Sequence, residues 1–361
     1  MAGGHEARHD GRVQPGDQLG LSPVGRRPAN PGGGSSEPLL RTLHDVRTDK
    51  RRGGATARGT SARRRPPVPW GLAVIFLGPT LFLYLVFTVY PLLRTFYNSL
   101  FVLPTVDVEQ FVGLENFRLI FTSDSVIWPA VRHTLSWSVC SAFLEIPIAF
   151  LLALALYARV PGERVFRLAW FAPMLLSYVV VGPIWQWIYN YDWGPIDAAL
   201  RFAGLGGVAR AWLGNLSTAL PALIVVTTWM FVGFNMVVFL AALHSLPGDV
   251  IEAAYIDGAG WWRTVGSIMV PLVWPTAAAL TVLCVIGKMK QFALVYVMTQ
   301  GGPLWSTETV ATYIIKRAFQ WKTVDLGYPS ALATLWFLAT LAATLLLGLL
   351  FQRRAQPESL T

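Results

Sequence analysis

The chain has 361 residues, of which 54% are apolar, 13% aromatic and only 14% charged. Soluble globular domains carry about 25% charged residues, so this composition excludes an ordinary soluble protein and indicates a protein of the lipid bilayer. The formal net charge is +9, and residues 1–69 hold 13 of the 29 Lys and Arg residues. Two cysteines are too few for a disulfide framework or a cysteine-based metal site.

Residues 1–69 are rich in Gly, Pro, Ser and Arg and show no sustained apolar periodicity. Such a segment cannot bury enough apolar surface to fold, so we predict a disordered tail. The first long apolar run begins only at Trp70, and we therefore expect no cleaved signal peptide. The Arg clusters suit anionic lipid headgroups or nucleic acid, but a basic flank beside a first membrane span is typical of a cytoplasmic segment. We expect membrane lipid, and no nucleic acid, as its partner.

Residues 70–361 contain six apolar windows that each reach the roughly 20 residues needed to cross a bilayer as a helix. We therefore predict an all-α integral membrane protein with six transmembrane helices. The predicted spans lie near 70–93, 131–157, 168–189, 219–243, 271–297 and 329–351.

The distribution of Lys and Arg predicts the orientation of these spans. The tail, the loops near 158–167 and 244–270 and the segment after the last span together hold 19 Lys and Arg residues, against 7 on the opposite side. The positive-inside rule then places both termini of this multi-pass membrane protein in the cytoplasm. The basic group Lys316, Arg317 and Lys322 weighs mildly against this orientation.

The sequence offers little catalytic equipment. It contains no H-E-x-x-H, no G-x-S-x-G and no phosphate-binding loop with a Lys-Ser/Thr ending. The five histidines are scattered, which argues against a metal centre. We expect no catalytic residue, no metal and no cofactor in this chain, and a conduit rather than an enzyme.

The charged residues inside or near the predicted spans include Glu145, Lys288 and Lys290. Each would cost about 2.5–3.5 kcal/mol if it faced lipid at mid-depth. The simpler interpretation is an ion pair between Glu145 and Lys288. The alternative is that Glu145 relays protons, which would be expected of an ion-coupled secondary transporter.

The loop 244–270 is too polar to span a membrane and too regular for a linker. Asp249 favours the start of a helix and Gly258 its end. We expect a second short helix over about 260–269, so that the loop forms a helix-turn-helix knob. A groove on a partner protein and the lipid headgroup layer both suit such an amphipathic element. The apolar face of the second helix would carry Trp261, Val265 and Ile268.

Several motifs carry a resemblance to a known family. The loop contains Glu252-Ala253-Ala254, Asp257-Gly258 and Ile268-x-x-Pro271. In chain order the sequence also has FVGLENF at 111–117, AALHSLP at 241–247, MTQGGP at 298–303, STET at 306–309 and GYPSA at 327–331. Residues 70–351 thereby resemble the permease subunits of binding-protein-dependent ABC importers, in the carbohydrate-importing, maltose-permease-like branch. The loop resembles their EAA loop, although Val265 stands where an aromatic residue is usual.

The resemblance implies a division of labour among subunits. A second, related permease would complete the path, two cytoplasmic ATPase subunits would hold ATP and Mg, and an extracytoplasmic solute-binding protein would deliver the carbohydrate. The EAA loop would couple this chain to one ATPase. In that role Glu252 would be the charged contact, Ala253 and Ala254 would allow close approach, and Gly258 would provide the turn. The remaining motif positions are Asp257, Ile268 and Pro271.

The substrate path is less specific in sequence. Sugars are bound by hydrogen bonds to their hydroxyls and by stacking on aromatic rings. Polar and aromatic residues in or beside spans 3 to 5 are therefore candidates for contact with the substrate. They are Trp185, Tyr189, Asn190, Asn235, Gln291 and Tyr296. Each also has an ordinary role, since Trp and Tyr form interfacial belts and amides join helices. Two other classes stay open: an ion-coupled secondary transporter and an intramembrane enzyme.

Overall fold

The computed structural model describes residues 70–105, 108–158, 161–321 and 325–355. The predicted disordered tail, residues 1–69, lies outside the described residues, as does Lys322.

The described chain is built from α-helices and one short hairpin. The two strands pair antiparallel, with Phe101 opposite Phe111. The elements, in chain order, are α1 (Trp70–Tyr84), α2 (Tyr90–Asn98), β1 (Phe101–Thr105), β2 (Val108–Phe111), α3 (Glu115–Thr122), α4 (Ile127–Tyr157), α5 (Glu163–Phe171), α6 (Tyr178–Ile188), α7 (Pro195–Phe202), α8 (Ala219–His244), α9 (Gly248–Ile256), α10 (Trp261–Thr264), α11 (Val270–Met289), α12 (Ala293–Met298), α13 (Val310–Phe319) and α14 (Gly327–Ala355).

Within the described residues, five continuous helical stretches are long and apolar enough to cross a membrane. A bent pair of helices, Glu163–Leu175 with Tyr178–Ile188, would be a sixth if it counts as one span. The predicted windows overlap these helices, but two of them differ in form, as described below. The five continuous stretches are Val74–Asn98, Ile127–Tyr157, Ala219–His244, Trp261–Met289 and Gly327–Phe351.

The predicted span 168–189 falls on this bent pair and not on one straight helix, because the chain bends by 105° between α5 and α6. Pro173 lies in a single 3-10 turn after α5, where it has no N–H to donate. Ser177 then caps a new helix, its hydroxyl accepting a hydrogen bond from the N–H of Val179 at 3.1 Å. The bend packs against α8 at Gly233, where a Cβ would lie 1.8 Å from the carbonyl oxygen of Trp170. Only a glycine fits that approach.

The predicted span 271–297 and the separate helix over 260–269 also differ from the structure. One continuous helix runs from Trp261 to Met289, so the second helix of the knob is the first part of a membrane helix. A π-helical turn, Val265–Met269, joins α10 to α11 and directly precedes Val270 and Pro271. A wider turn relieves the clash between a proline ring and the preceding carbonyls, which explains why the helix continues through the proline.

The same helix stops before the predicted end of its span. Residues 290–292 are not helical, and α12 follows them. The carbonyl of Met289 accepts a hydrogen bond from Trp336 Nε1 at 2.8 Å, and the carbonyl of Gln291 accepts one from Thr309 Oγ1 at 3.0 Å. Side chains from neighbouring segments therefore supply partners for the carbonyls of the break.

Among the described residues, three apolar clusters hold the helices together. The first joins α4, α8 and the start of the Trp261–Met289 helix, around Phe239. The second joins α4, α6, α8 and α12, around Trp137. The third joins α3, α4, α13 and α14, around Tyr313. Because α4 takes part in all three, it is the central helix of the described fold.

The loop between α12 and α13 contains the MTQGGP and STET motifs and is built around a buried ion pair. Lys316 Nζ lies 2.5 Å from Glu308 Oε2. Burial raises the pKa of Glu308, and the hydrogen bond and charge of Lys316 only partly oppose that shift. Gly301 lies against the pair with φ 79°, and a Cβ there would be 1.7 Å from the Glu308 carboxylate. The glycine of this motif is therefore a packing requirement.

A second polar cluster surrounds Asp124 just before α4. Its carboxylate accepts hydrogen bonds from Tyr313 at 2.5 Å, from Tyr328 and from the N–H of Val126 at 2.9 Å, and Arg317 lies 3.6 Å away. Burial alone would raise the pKa of Asp124, but these hydrogen bonds outweigh it and hold the pKa below its ordinary value. The cluster ties the start of α4 to α13 and α14.

We expect Gly233→Ala to lower the free energy of unfolding by about 3 kcal/mol, because the added methyl meets backbone rather than a flexible side chain. Thermal unfolding of the purified chain in detergent measures the change. Gly348→Ala in α14 is the control, since a Cβ there meets nothing within 4 Å. Equal melting temperatures for the two variants would contradict this account of the bend.

We expect Asp124→Asn to destabilise the protein at pH 7 by about 1–3 kcal/mol through lost charge-assisted hydrogen bonds. Because the folded pKa is lowered, the carboxylate stabilises the fold above its unfolded pKa, and that contribution disappears as the pH falls through the folded pKa. The difference in melting temperature between wild type and variant should therefore shrink below about pH 4. Asp192→Asn, at an exposed side chain, should show no such pH-dependent difference.

Candidate functional site

A cavity of about 170 Å³ lies between α4, the α5–α6 bend, α8 and the end of α11. Along α4 and α8 it falls between the first and second apolar clusters. Three aromatic side chains line it, namely Tyr178, Phe231 and Phe234. Two amides, Asn235 and Gln291, and one pair of charged residues complete the polar lining.

The charged residues are Glu145 of α4 and Lys288 of α11. Lys288 Nζ lies 2.5 Å from Glu145 Oε1, and the two side chains are only 4% and 1% exposed. The thiol of Cys284 donates a hydrogen bond to Glu145 Oε2 at 3.3 Å, and Lys288 Nζ lies 4.5 Å from the ring centre of Phe231. The predicted Glu145–Lys288 pair is confirmed, and neither charge faces lipid.

The two amides lie close to this pair. Gln291 Oε1 accepts a hydrogen bond from the hydroxyl of Tyr178 at 3.4 Å. Gln291 Nε2 is buried and has no hydrogen-bond partner within the described part of the chain. A buried donor without a partner costs about 1–3 kcal/mol, so this N–H group is available to a polar group that enters the cavity.

Four other residues predicted for a substrate path do not line this cavity. Tyr189 donates its hydroxyl to the carbonyl of Ala222 at 3.1 Å, within the second apolar cluster. Asn190 Oδ1 accepts from the N–H of Asp192 at 3.0 Å and closes a turn. The side chains of Trp185 and Tyr296 pack against neighbouring aromatic rings. Their part in a substrate path stays a prediction.

The aromatic lining of the cavity was not among the residues predicted from the sequence. Phe231, Phe234 and Asn235 stand at i, i+3 and i+4 on α8 and so share one helix face. Glycine and polar residues likewise recur at Gly287, Lys288 and Gln291 near the end of α11. An amide that shares a helix face with two aromatic residues is the sequence pattern that could have identified this lining.

The second candidate site lies in the predicted knob. Because the second predicted helix is part of the membrane helix Trp261–Met289, the name knob is kept below for residues 248–260, which follow α8. Helix α9 ends at Ile256, and Gly258, two residues further on, has a φ of 79°. The N–H of Ala259 bonds to the carbonyl of Ala254 at 2.9 Å, and the N–H of Gly258 bonds to that of Tyr255 at 3.0 Å. These two bonds form a Schellman motif, which requires the left-handed conformation that glycine adopts freely. The predicted turn at Gly258 is confirmed.

The knob presents an unusual surface. Glu252 and Ala253 are exposed, whereas Ala254 packs inward. Ile256 is 80% exposed, and Tyr255 beside it is also exposed. Apolar side chains and a carboxylate therefore stand together on one short helix.

The other predicted motif residues flank this surface. Asp257 is the last residue before the turn at Gly258 and is exposed. Ile268 is half-buried in the π-helical turn, and Pro271 is exposed in the first turn of α11. The motif thus extends from α9 into the following membrane helix.

A protein-family comparison identifies the chain. The family described as "Binding-protein-dependent transport system inner membrane component" matches residues 145–356, more than half of the sequence and both candidate sites. The chain belongs to this family. It is therefore a multi-pass membrane component of an ABC transport system, a permease rather than an enzyme.

Curated relatives agree with this assignment. The sulfoquinovosyl glycerol transport system permease protein SmoG of Agrobacterium fabrum is 32% identical over 279 residues, covering 76% of this chain and 88% of that protein. The trehalose/maltose transport system permease protein MalF of Thermococcus litoralis is 31% identical over 276 residues, covering 76% and 91%.

A solved structure shows the same fold. It is a bacterial ABC transporter involved in the import of the acidic polysaccharide alginate, and it matches with a TM-score of 0.70 and 23% identity. The match covers 80% of this chain and 96% of that chain.

We expect Glu145→Gln to lower the free energy of unfolding by about 3 kcal/mol, because it leaves the buried Lys288 ammonium without its counter-charge. The double variant Glu145→Gln, Lys288→Met removes both charges and should be more stable than the single variant. Melting temperatures in detergent measure both effects. A double variant no more stable than the single one would mean that the pair is not the source of the loss.

Proposed function

We propose that this chain is one permease subunit of an ATP-driven importer and forms half of the path by which a carbohydrate crosses the cytoplasmic membrane. Membership in the binding-protein-dependent family supports the importer. The names of two relatives, a sulfoquinovosyl glycerol permease and a trehalose/maltose permease, support a carbohydrate substrate. The fold neighbour also belongs to a polysaccharide importer.

The lining of the cavity supports this substrate class. Aromatic rings such as Tyr178 and Phe231 offer apolar surfaces on which a sugar ring stacks. The amides of Asn235 and Gln291 can exchange hydrogen bonds with hydroxyl groups. A sugar needs both kinds of contact, and here they stand in one cavity.

One observation carries the proposed mechanism: a single helix, Trp261–Met289, joins the knob to the cavity. Its first turn follows the turn that ends α9, and its last turn carries Lys288. Displacement of the knob by a partner would move one wall of the cavity as a rigid body. Alternating access then follows as a shift between two arrangements of the helices, driven by ATP in the partner.

The proposed partners match the division of labour implied by the family. A second, related permease completes the path, and an extracytoplasmic solute-binding protein delivers the sugar. Two cytoplasmic ATPase subunits hold ATP and Mg, and one of them receives the knob through Glu252, Ala253 and Ile256. Both termini are cytoplasmic in this arrangement, residues 1–69 being a basic tail and residues 70–361 the transmembrane domain.

An ion-coupled secondary transporter is the competing function. It would use Glu145 as a proton site beside the cavity. The carboxylate is already engaged by Lys288 and by the Cys284 thiol, which supports a role in positioning α4 against α11 instead.

The docking of the knob is tested by co-purification from the native membrane. Tagged wild-type chain should bring down an ATPase and a second permease, identified by mass spectrometry. The variant Glu252→Ala, Gly258→Asp should lose the ATPase and keep the second permease, because it removes the charged contact and strains the left-handed turn.

Gly260→Ala in the same knob is the control, since its φ is −71° and a Cβ there meets open space. It should retain the ATPase. Wild-type chain that purifies alone, and moves solute in vesicles without ATP, would contradict the importer and favour the ion-coupled carrier.

A further inference from the structure

We propose that the cavity selects uncharged over acidic sugars, and that Glu145 determines this selectivity by neutralising Lys288. The inference rests on the proposed function, because it assumes that a sugar enters the cavity. It concerns the charge class of that sugar, which the names of the relatives leave open.

The charges in the lining of the cavity cancel. Among the described residues that line the cavity, Glu145 and Lys288 alone carry a formal charge. Their charged atoms lie 2.5 Å apart. The pair sums to zero whether the proton stays on Lys288 or moves to Glu145, so the lining presents no net charge to a ligand.

The geometry of the pair keeps Lys288 engaged with its neighbours. Lys288 Nζ lies between the Glu145 carboxylate and the face of Phe231, 4.5 Å from the ring centre. The other oxygen of Glu145 accepts a hydrogen bond from the Cys284 thiol. For Lys288 to swing toward a sugar carboxylate, it would have to leave Glu145 as an unpaired buried anion, which is strongly unfavourable. An acidic sugar therefore gains no free cation in this cavity and would lose the hydration of its own charge.

The remaining polar groups are neutral. Gln291 Nε2 is a buried donor with no partner in the described part of the chain, and the amide of Asn235 lines the same space. These groups suit hydroxyls, which both donate and accept hydrogen bonds. Lys290, the nearest further cation in sequence, is exposed and does not line the cavity.

The experiment uses the full chain in lipid nanodiscs and two disaccharide probes, neutral maltose and anionic digalacturonate. Saturation-transfer NMR detects weak binding of each probe and competition between them. Wild-type chain should give a signal for maltose that equimolar digalacturonate does not displace. Glu145→Gln should bind digalacturonate roughly tenfold more tightly than wild type, because the freed Lys288 now faces the cavity.

Two further variants complete the design. The double variant Glu145→Gln, Lys288→Met should keep maltose binding and gain no affinity for digalacturonate. Asn235→Lys introduces a cation without its own carboxylate and leaves the pair intact, so it should also gain digalacturonate binding. If Glu145→Gln does not fold, Asn235→Lys still tests whether an unpaired cation in the cavity binds an acidic sugar.

The outcomes distinguish a failure of charge selection from a failure of sugar binding. If wild-type chain binds digalacturonate as tightly as maltose, charge selection is wrong while sugar binding stands. If Asn235→Lys and a folded Glu145→Gln both fail to gain digalacturonate binding, the pair does not set the charge preference. If wild-type chain binds neither probe, the carbohydrate path through this cavity fails, and charge selection fails with it.

Discussion

The fold depends on one constraint: a backbone group that leaves its helix inside a membrane must find a partner within the protein, because hydrocarbon offers none. In the described part of the chain, helices are interrupted near 172–177 and 290–292, and the cavity lies between those interruptions. Ser177 restarts one helix by capping it. Trp336 and Thr309 accommodate the other by donating to carbonyls that the break frees. The side chains that satisfy the backbone thus make a cavity among the membrane helices compatible with surrounding lipid.

Local features of the sequence were enough to predict part of this arrangement. The turn at Gly258 follows from the few residues around it, since a left-handed helix end requires little beyond a glycine at the right place. The Glu145–Lys288 pair followed from the cost of leaving either charge in lipid. Helix ends were harder, because an apolar run continues across a bend or a break without any change in composition. Pro173 and Ser177 marked the bend, but only their position against α8 shows that the chain turns there.

The lining of the cavity was the least predictable feature. Asn190 and Asn235 are the same residue type, yet one closes a turn and the other faces the cavity. Tyr189 and Tyr178 differ in the same way, one bonded to a backbone carbonyl and the other beside Gln291. Which member of each pair faces the cavity depends on the rotation of its helix and on the 105° bend. Neither quantity is encoded in residue type.

The cluster at Asp124 has a consequence for how the chain is made. Its tyrosine partners follow it by 189 and 204 residues, on α13 and α14. Since a polypeptide is synthesised from its N-terminus at about 5–20 residues per second, Asp124 leaves the ribosome well before Tyr313 and Tyr328. Until those helices are in place, the carboxylate lacks both tyrosine hydroxyls and has only the backbone N–H groups near it as partners. Attachment of α4 to α13 and α14 through Asp124 is therefore a late event in membrane assembly, and a chain that terminates before α13 has no means of forming it.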